Sequence, residues 1–249
     1  MKHPKIKKGD VFHTRNGGMC TVVQYNGAFD VVVTFEPTYP YTTTVRAEHL
    51  RRGAIANPYY PTVYGKGFIG EGPHRYHNGR KKTFVGVVWA GILARLFDST
   101  NHVHNPTYTD CTIAPEWLNF QVFAEWHSSQ NKPEDWAIDK DILFRGNREY
   151  SAETCRLVPK CINNLFTSTN SRRGDLPIGV SKKGCNFVAT LQRDGVSYNL
   201  GTHKTPLQAF VAYKVAKEEN IQRIAHLYVH ELDPELYKAM LDYRVRFDD

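Results

Sequence analysis

The sequence predicts an α+β protein made of several small units, and three observations lead there. Short apolar strands separated by Asn-Gly turns occupy the first 56 residues, aromatic-rich stretches with helical spacing occupy the middle, and residues 176–217 run strand, strand, strand, helix. With 249 residues, 41% hydrophobic and 12% aromatic, the chain can bury roughly two or three separate cores.

In the N-terminal part the strand candidates are Val11-Phe12, Thr21 to Tyr25, Asp30 to Phe35 and Thr42 to Val45, with turn signals at Asn16-Gly17-Gly18 and Asn26-Gly27. Four or five such strands predict a small curled β-barrel over residues 1–56. Lys5, Lys7, Lys8, Arg46, Arg51 and Arg52 add positive charge, so the barrel suits a nucleic-acid surface or the docking of a neighbouring domain or partner protein. Residues 57–82 are rich in Gly, Pro and Tyr and read as a linker or an extended arm whose Tyr, Lys and Arg side chains can lie along a groove. Within it, Lys66-Gly67-Phe68-Ile69-Gly70 lacks the spacing and the strand-to-helix setting of a phosphate-binding loop.

Residues 83–170 form the next unit. Thr83 to Phe97 is an apolar helix containing Trp89 and Arg95, and Ala114 to His127 is a second, opened by Pro115. Trp117, Phe120, Phe123 and Trp126 recur at helical spacing, as core residues do. Between the helices, His102-Val103-His104 sets two imidazoles on one face of a strand. Then follow Ala137 to Leu143, a loop with Gly146-Asn147, Tyr150 to Pro159, and a short segment with Asn163-Asn164.

The last part, 171–249, is the most informative. Leu176 to Ser181 is a strand, Lys182-Lys183-Gly184 a turn, Cys185 to Gln192 a second strand, Asp194-Gly195 a two-residue turn and Val196 to Leu200 the returning strand. Thr205 then caps a helix with Pro206 at its first position, and Ala209, Phe210, Ala212, Tyr213 and Ala216 suit close packing on a sheet. Phe187, Ala189 and Leu191 would face that helix, and Val188, Thr190 and Gln192 would face outward. Arg172, Arg173, Lys182, Lys183, Arg193 and Lys204 surround them as a basic belt.

The net charge of +7 and pI near 9.1 favour a polyanionic partner, because lysine and arginine release condensed counterions when they neutralise phosphates. Five scattered cysteines without a Cys-x-x-Cys pair argue against a structural zinc site, and Cys155 and Cys161, six apart, permit a joint one only weakly. There is no apolar signal region and no run of about 18 apolar residues, so the expectation is a reduced cytoplasmic protein without a membrane partner.

Two resemblances sharpen this reading. Gly179-Val180, Phe187-Val188-Ala189, Leu200-Gly201-Thr202 and the Ala-rich helix from Pro206 resemble the ethylene-response-factor type of DNA-binding domain, relatives of which occur in phage and mobile-element endonucleases. That resemblance implies a sheet whose outer face enters the major groove of double-stranded DNA. The contact face it implies is Ser181, Lys183, Val188, Thr190, Gln192, Ser197 and Asn199, and this chain places small polar groups where plant members place arginines and tryptophans.

The unit 83–170 resembles the ββα-metal core of HNH endonucleases, closest to a phage branch of that superfamily. The matching residues are Tyr108, Trp117 to Phe123, Ile138-Asp139-Lys140-Asp141-Ile142, Gly146, Tyr150 and Thr154-Cys155-Arg156-Leu157. The resemblance implies Asp139 as ligand of Mg²⁺ or another divalent cation, Asn147 as a loop-orienting residue and the position of Lys140 as that of the catalytic base. Lys140 stands where a His belongs and Thr154 where another ligand belongs. A protonated Lys repels a cation and accepts no proton at neutral pH, although His77, His102, His104 or His127 could substitute in space. Three functions stay open: a phage-type DNA-binding protein on a degenerate HNH scaffold, a metal-dependent DNA endonuclease of nicking or homing type, and a factor that binds a host protein.

Overall fold

Alternating apolar residues near the N-terminus pair into an antiparallel sheet of linear order β1 (Val11–His13), β2 (Met19–Gly27), β3 (Asp30–Phe35) and β4 (Thr42–Val45) in the computed structural model, which describes residues 5–15, 18–167 and 175–247. The expected closed barrel is corrected to this open sheet. With only three residues in β1 and four in β4, the outer strands have no hydrogen-bonded partner in each other. Helix α1 (Ala47–Arg51) helps to seal the apolar side instead, its Ala47 and Leu50 joining Cys20, Val22, Val31, Val33 and Phe35 in one buried cluster.

Residues 57–82 are an extended arm fixed to the rest of its unit. Asn57 donates through Nδ2 to the Tyr39 carbonyl (2.8 Å) and accepts from the Tyr59 N–H (2.9 Å). Further on, the Gln121 amide clamps the main chain of His74 at both N–H (3.0 Å) and carbonyl (2.9 Å). Packing accounts for Gly67, Gly70 and Gly72, whereas a Cβ on Gly65 or Gly79 would meet nothing within 4 Å. A Cβ on Gly67 would meet Leu93 Cδ1 at 2.3 Å and the Trp89 ring at 2.8 Å, so no larger residue fits without displacing the core. The arm includes the short pair β5 (His77–Asn78) and β6 (Lys81–Lys82).

Thr83 accepts from the Gly86 N–H and caps α2 (Phe84–Phe97). Asp98 caps the short α3 (Ser99–His104). His102 and His104 therefore lie on a helix, where residues two apart diverge, and not on one strand face. β7 (Thr112–Ile113) precedes a 3₁₀ turn over Pro115–Leu118, and α4 (Phe120–Ser129) starts later than the sequence suggests because Asn119 accepts from the Gln121 N–H and resets the cap. Trp89, Trp117, Phe120 and Phe123 are fully buried and meet edge to face, and Trp89 Nε1 donates to the Trp117 carbonyl at 2.7 Å.

The remaining elements are β8 (Ala137–Asp139), β9 (Glu149–Tyr150), β10 (Arg156–Val158), α5 (Lys160–Phe166), β11 (Val180–Lys183), β12 (Asn186–Arg193), β13 (Val196–His203), α6 (Pro206–Leu227) and α7 (Pro234–Leu241). Contacts divide the chain into two units. One runs to Glu134 and takes in Arg148–Glu153, whose β9 pairs in parallel with β7; the other holds Asp135–Asn147 and the chain from Thr154 onward. The stretch resembling an HNH core is thus shared between the two. In the second unit β8 and β10 pair antiparallel, and Val158 and Ile162 pack with Ile221, Ile224, Leu236 and Met240 of α6 and α7. A second cluster joins Val180, Ala189 and Leu191 of the three-stranded sheet to Ala209, Phe210 and Tyr213 of α6.

Candidate nucleic-acid interface

Strand register decides which side chains share a face, because residues directly opposite one another project the same way. In the sheet β11-β12-β13, Val180 opposes Ala189 and Leu191 opposes Tyr198; Ala189 and Leu191 are buried against α6, which makes this the helix side. The other side carries Lys183 opposite Asn186, Ser181 opposite Val188 opposite Thr202, Thr190 opposite Asn199, and Gln192 opposite Ser197. All seven residues of the implied contact face therefore come together on one sheet face. That face contains one lysine and no carboxylate.

Sequence reasoning missed Asn186 and Thr202. A bulge between Val188 and Thr190 breaks the period-two count, so Thr202, not Gly201, falls on the face, and Gly201 takes φ +113° there. Asn199 Oδ1 accepts from the Gly201 N–H (2.9 Å), which ties one end of its amide to the bulge and leaves the NH₂ as outward donor. Gln192 makes no side-chain hydrogen bond among the described residues and keeps both donor and acceptor.

The basic belt divides. Lys183 lies on the outer face, whereas Lys182 opposes Phe187 and Arg193 opposes Val196, so both have helix-side parity. Arg193 Nε lies 3.7 Å from Asp194, which also takes Arg223 at 2.9 Å. Asp194 and Gly195 both have positive φ, as a two-residue hairpin turn requires. Lys204 is exposed just beyond β13, and Arg172 and Arg173 lie outside the described residues. A cavity of about 530 Å³ is lined by Thr190, Gln192, Tyr213, Asn220 and Lys217, and burial pushes the Lys217 ammonium below its ordinary range.

The nuclease-like residues are occupied otherwise. Asp139 Oδ1 accepts from the N–H groups of Asp141 (2.9 Å) and Ile142 (2.8 Å), closing the turn after β8, and burial raises its pKa against those two bonds. Lys140, 8% exposed, donates from Nζ to Asp141 (2.7 Å) and to the Asn147 carbonyl (2.8 Å), while Asn147 Nδ2 returns a bond to the Lys140 carbonyl (3.0 Å). Lys140 and Asn147 thereby staple the intervening loop. An ammonium held by a carboxylate is a poor base, and a cation placed at Asp139 would meet that ammonium on the adjacent residue.

Among the described residues no group of three or more His, Cys, Asp or Glu side chains is placed to hold a metal ion. His77, His102, His104 and His127 belong to the other unit. Burial among Phe84, Phe123 and Trp126 lowers the pKa of His127, against the pull of Glu134. None of the five cysteines forms a disulfide among the described residues; Cys155 is buried and Cys161 exposed. No family model, curated protein or solved structure matches the chain.

Proposed function

We propose that this chain is a double-stranded-DNA-binding protein of phage type that reads the major groove with the outer face of β11, β12 and β13, on an HNH-like scaffold that no longer cuts. The observation that carries the reading is the strand register, which sets Ser181, Lys183, Asn186, Thr190, Gln192, Ser197, Asn199 and Thr202 on one carboxylate-free face backed by α6. The charge of +7 supports it, since a cationic protein gains counterion entropy on a polyanion. Among the described residues no helix is long and apolar enough to cross a membrane.

Readout on this face is weighted toward A·T pairs. Gln192 can donate and accept at an adenine edge, Thr190, Thr202 and Val188 can touch a thymine methyl, and no arginine stands on the face to grip guanine. Selection from a random duplex library is expected to return an A·T-weighted site, and Gln192→Ala to erase preference at one position, a discrimination of about 1–3 kcal/mol. A G·C-rich site indifferent to Gln192 would overturn the assignment of this face.

The endonuclease reading needs a base and a metal that the Asp139–Asn147 loop is poorly arranged to supply. Supercoiled plasmid incubated with the protein and Mg²⁺, Mn²⁺ or EDTA is expected to stay uncut. Metal-dependent nicking lost in Asp139→Ala would restore that reading.

A further inference from the structure

The N-terminal unit holds a cavity of about 590 Å³, within the range of small-ligand sites, whose walls include Tyr41, Tyr60, Tyr76, Ile69, Glu71 and His77. Three tyrosines and one carboxylate, with no lysine or arginine among the described residues that line it, make a poor place for phosphate and a good one for a cation. The carboxylate is held in position. Tyr41 donates to one Glu71 oxygen (2.9 Å) and Tyr59 to the other (3.0 Å), and the same hydrogen bond pushes the Tyr59 phenol up.

The rings are held as well. Tyr39 packs edge to face on Tyr60 at 5.4 Å, Tyr59 on Tyr41 at 5.7 Å, and Tyr76 is buried against Trp89 and Phe120. One of the three rings is already engaged, for Lys82 Nζ stands 5.7 Å from the Tyr76 ring centroid, which leaves Tyr41, Tyr60 and Glu71 for a ligand. Electron-rich ring faces attract cations, most strongly cations too weakly hydrated to resist leaving water, and a fixed carboxylate adds a Coulomb term.

We propose that this cavity binds an alkylammonium group, either the side chain of a lysine or methylated lysine on a partner protein or a free quaternary amine. The site stands on its own residues and is independent of DNA binding by the C-terminal sheet.

The test titrates the full chain, with NMR detection of tyrosine ring signals, against choline, its neutral isostere 3,3-dimethylbutan-1-ol, N-acetyl-lysinamide and N-acetyl-trimethyllysinamide. The cations are expected to bind saturably and the neutral isostere about fivefold to tenfold more weakly. Glu71→Gln and Tyr60→Leu should each weaken cation binding, and Tyr60→Phe, which keeps the ring, should preserve it. Tighter binding of the lysine derivatives than of choline would assign the occupant to a protein side chain, and the reverse order to a free amine. Equal binding of choline and its neutral isostere, or no saturable shift with any cation, would overturn the proposal.

Discussion

Replacing Gly179 by alanine is expected to destabilise the second unit by about 2–5 kcal/mol. Gly179 has φ +75°, where an L-residue costs roughly 1–2 kcal/mol. A Cβ there would also lie 2.0 Å from Tyr213 Cδ2, on a ring only 5% exposed in the cluster that joins α6 to the sheet, and overpacking of that kind costs about 1–3 kcal/mol more. The position also bears on the proposed interface, because the Gly179 carbonyl accepts from the Thr190 N–H at 2.8 Å and extends the ladder beside the outer sheet face. Urea unfolding measures the loss. The double variant Gly179→Ala/Tyr213→Ala should cost less than the sum of the two single changes, since removing the ring makes room for the methyl. Wild-type stability in Gly179→Ala would contradict the packing of α6 against this turn.

Local signals made much of the fold legible. Asp194-Gly195 announced the hairpin, Thr205-Pro206 the start of α6, and alternation along 187–192 the two faces of β12, because each depends on residues within a few positions of one another. What stayed hidden depends on distance or on exceptions to period. The bulge that moves Thr202 onto the outer sheet face has no signal in the β12 alternation, and barrel closure turned on strand lengths that only the pairing fixes. The Tyr41–Glu71 bond spans thirty residues. Lys140 was visible as the wrong residue for a general base, but its use as a staple across to Asn147 was not.

The second large effect concerns DNA itself. Ser181, Gln192 and Thr202 come from three different strands, share the outer face, and are distant enough from the buried cluster that changing them should leave the fold intact. The triple variant Ser181→Glu/Gln192→Glu/Thr202→Glu puts three carboxylates where phosphates and base edges would approach. A control with an equal change of charge is available on the exposed side of α6, as Gln208→Glu/Val211→Glu/Val215→Glu. Total charge falls equally in both, so only the location differs.

The decisive measurement is the affinity of wild type and both triple variants for duplex DNA by fluorescence anisotropy across a salt titration centred near about 0.1 M. Wild type should weaken linearly on a log–log plot, with a slope of about −0.9 for each phosphate neutralised; the sheet-face variant should lose at least about tenfold in affinity, and the α6 variant should stay within about threefold of wild type. Equal losses in the two variants, or a sheet-face variant that binds as wild type does, would contradict the account.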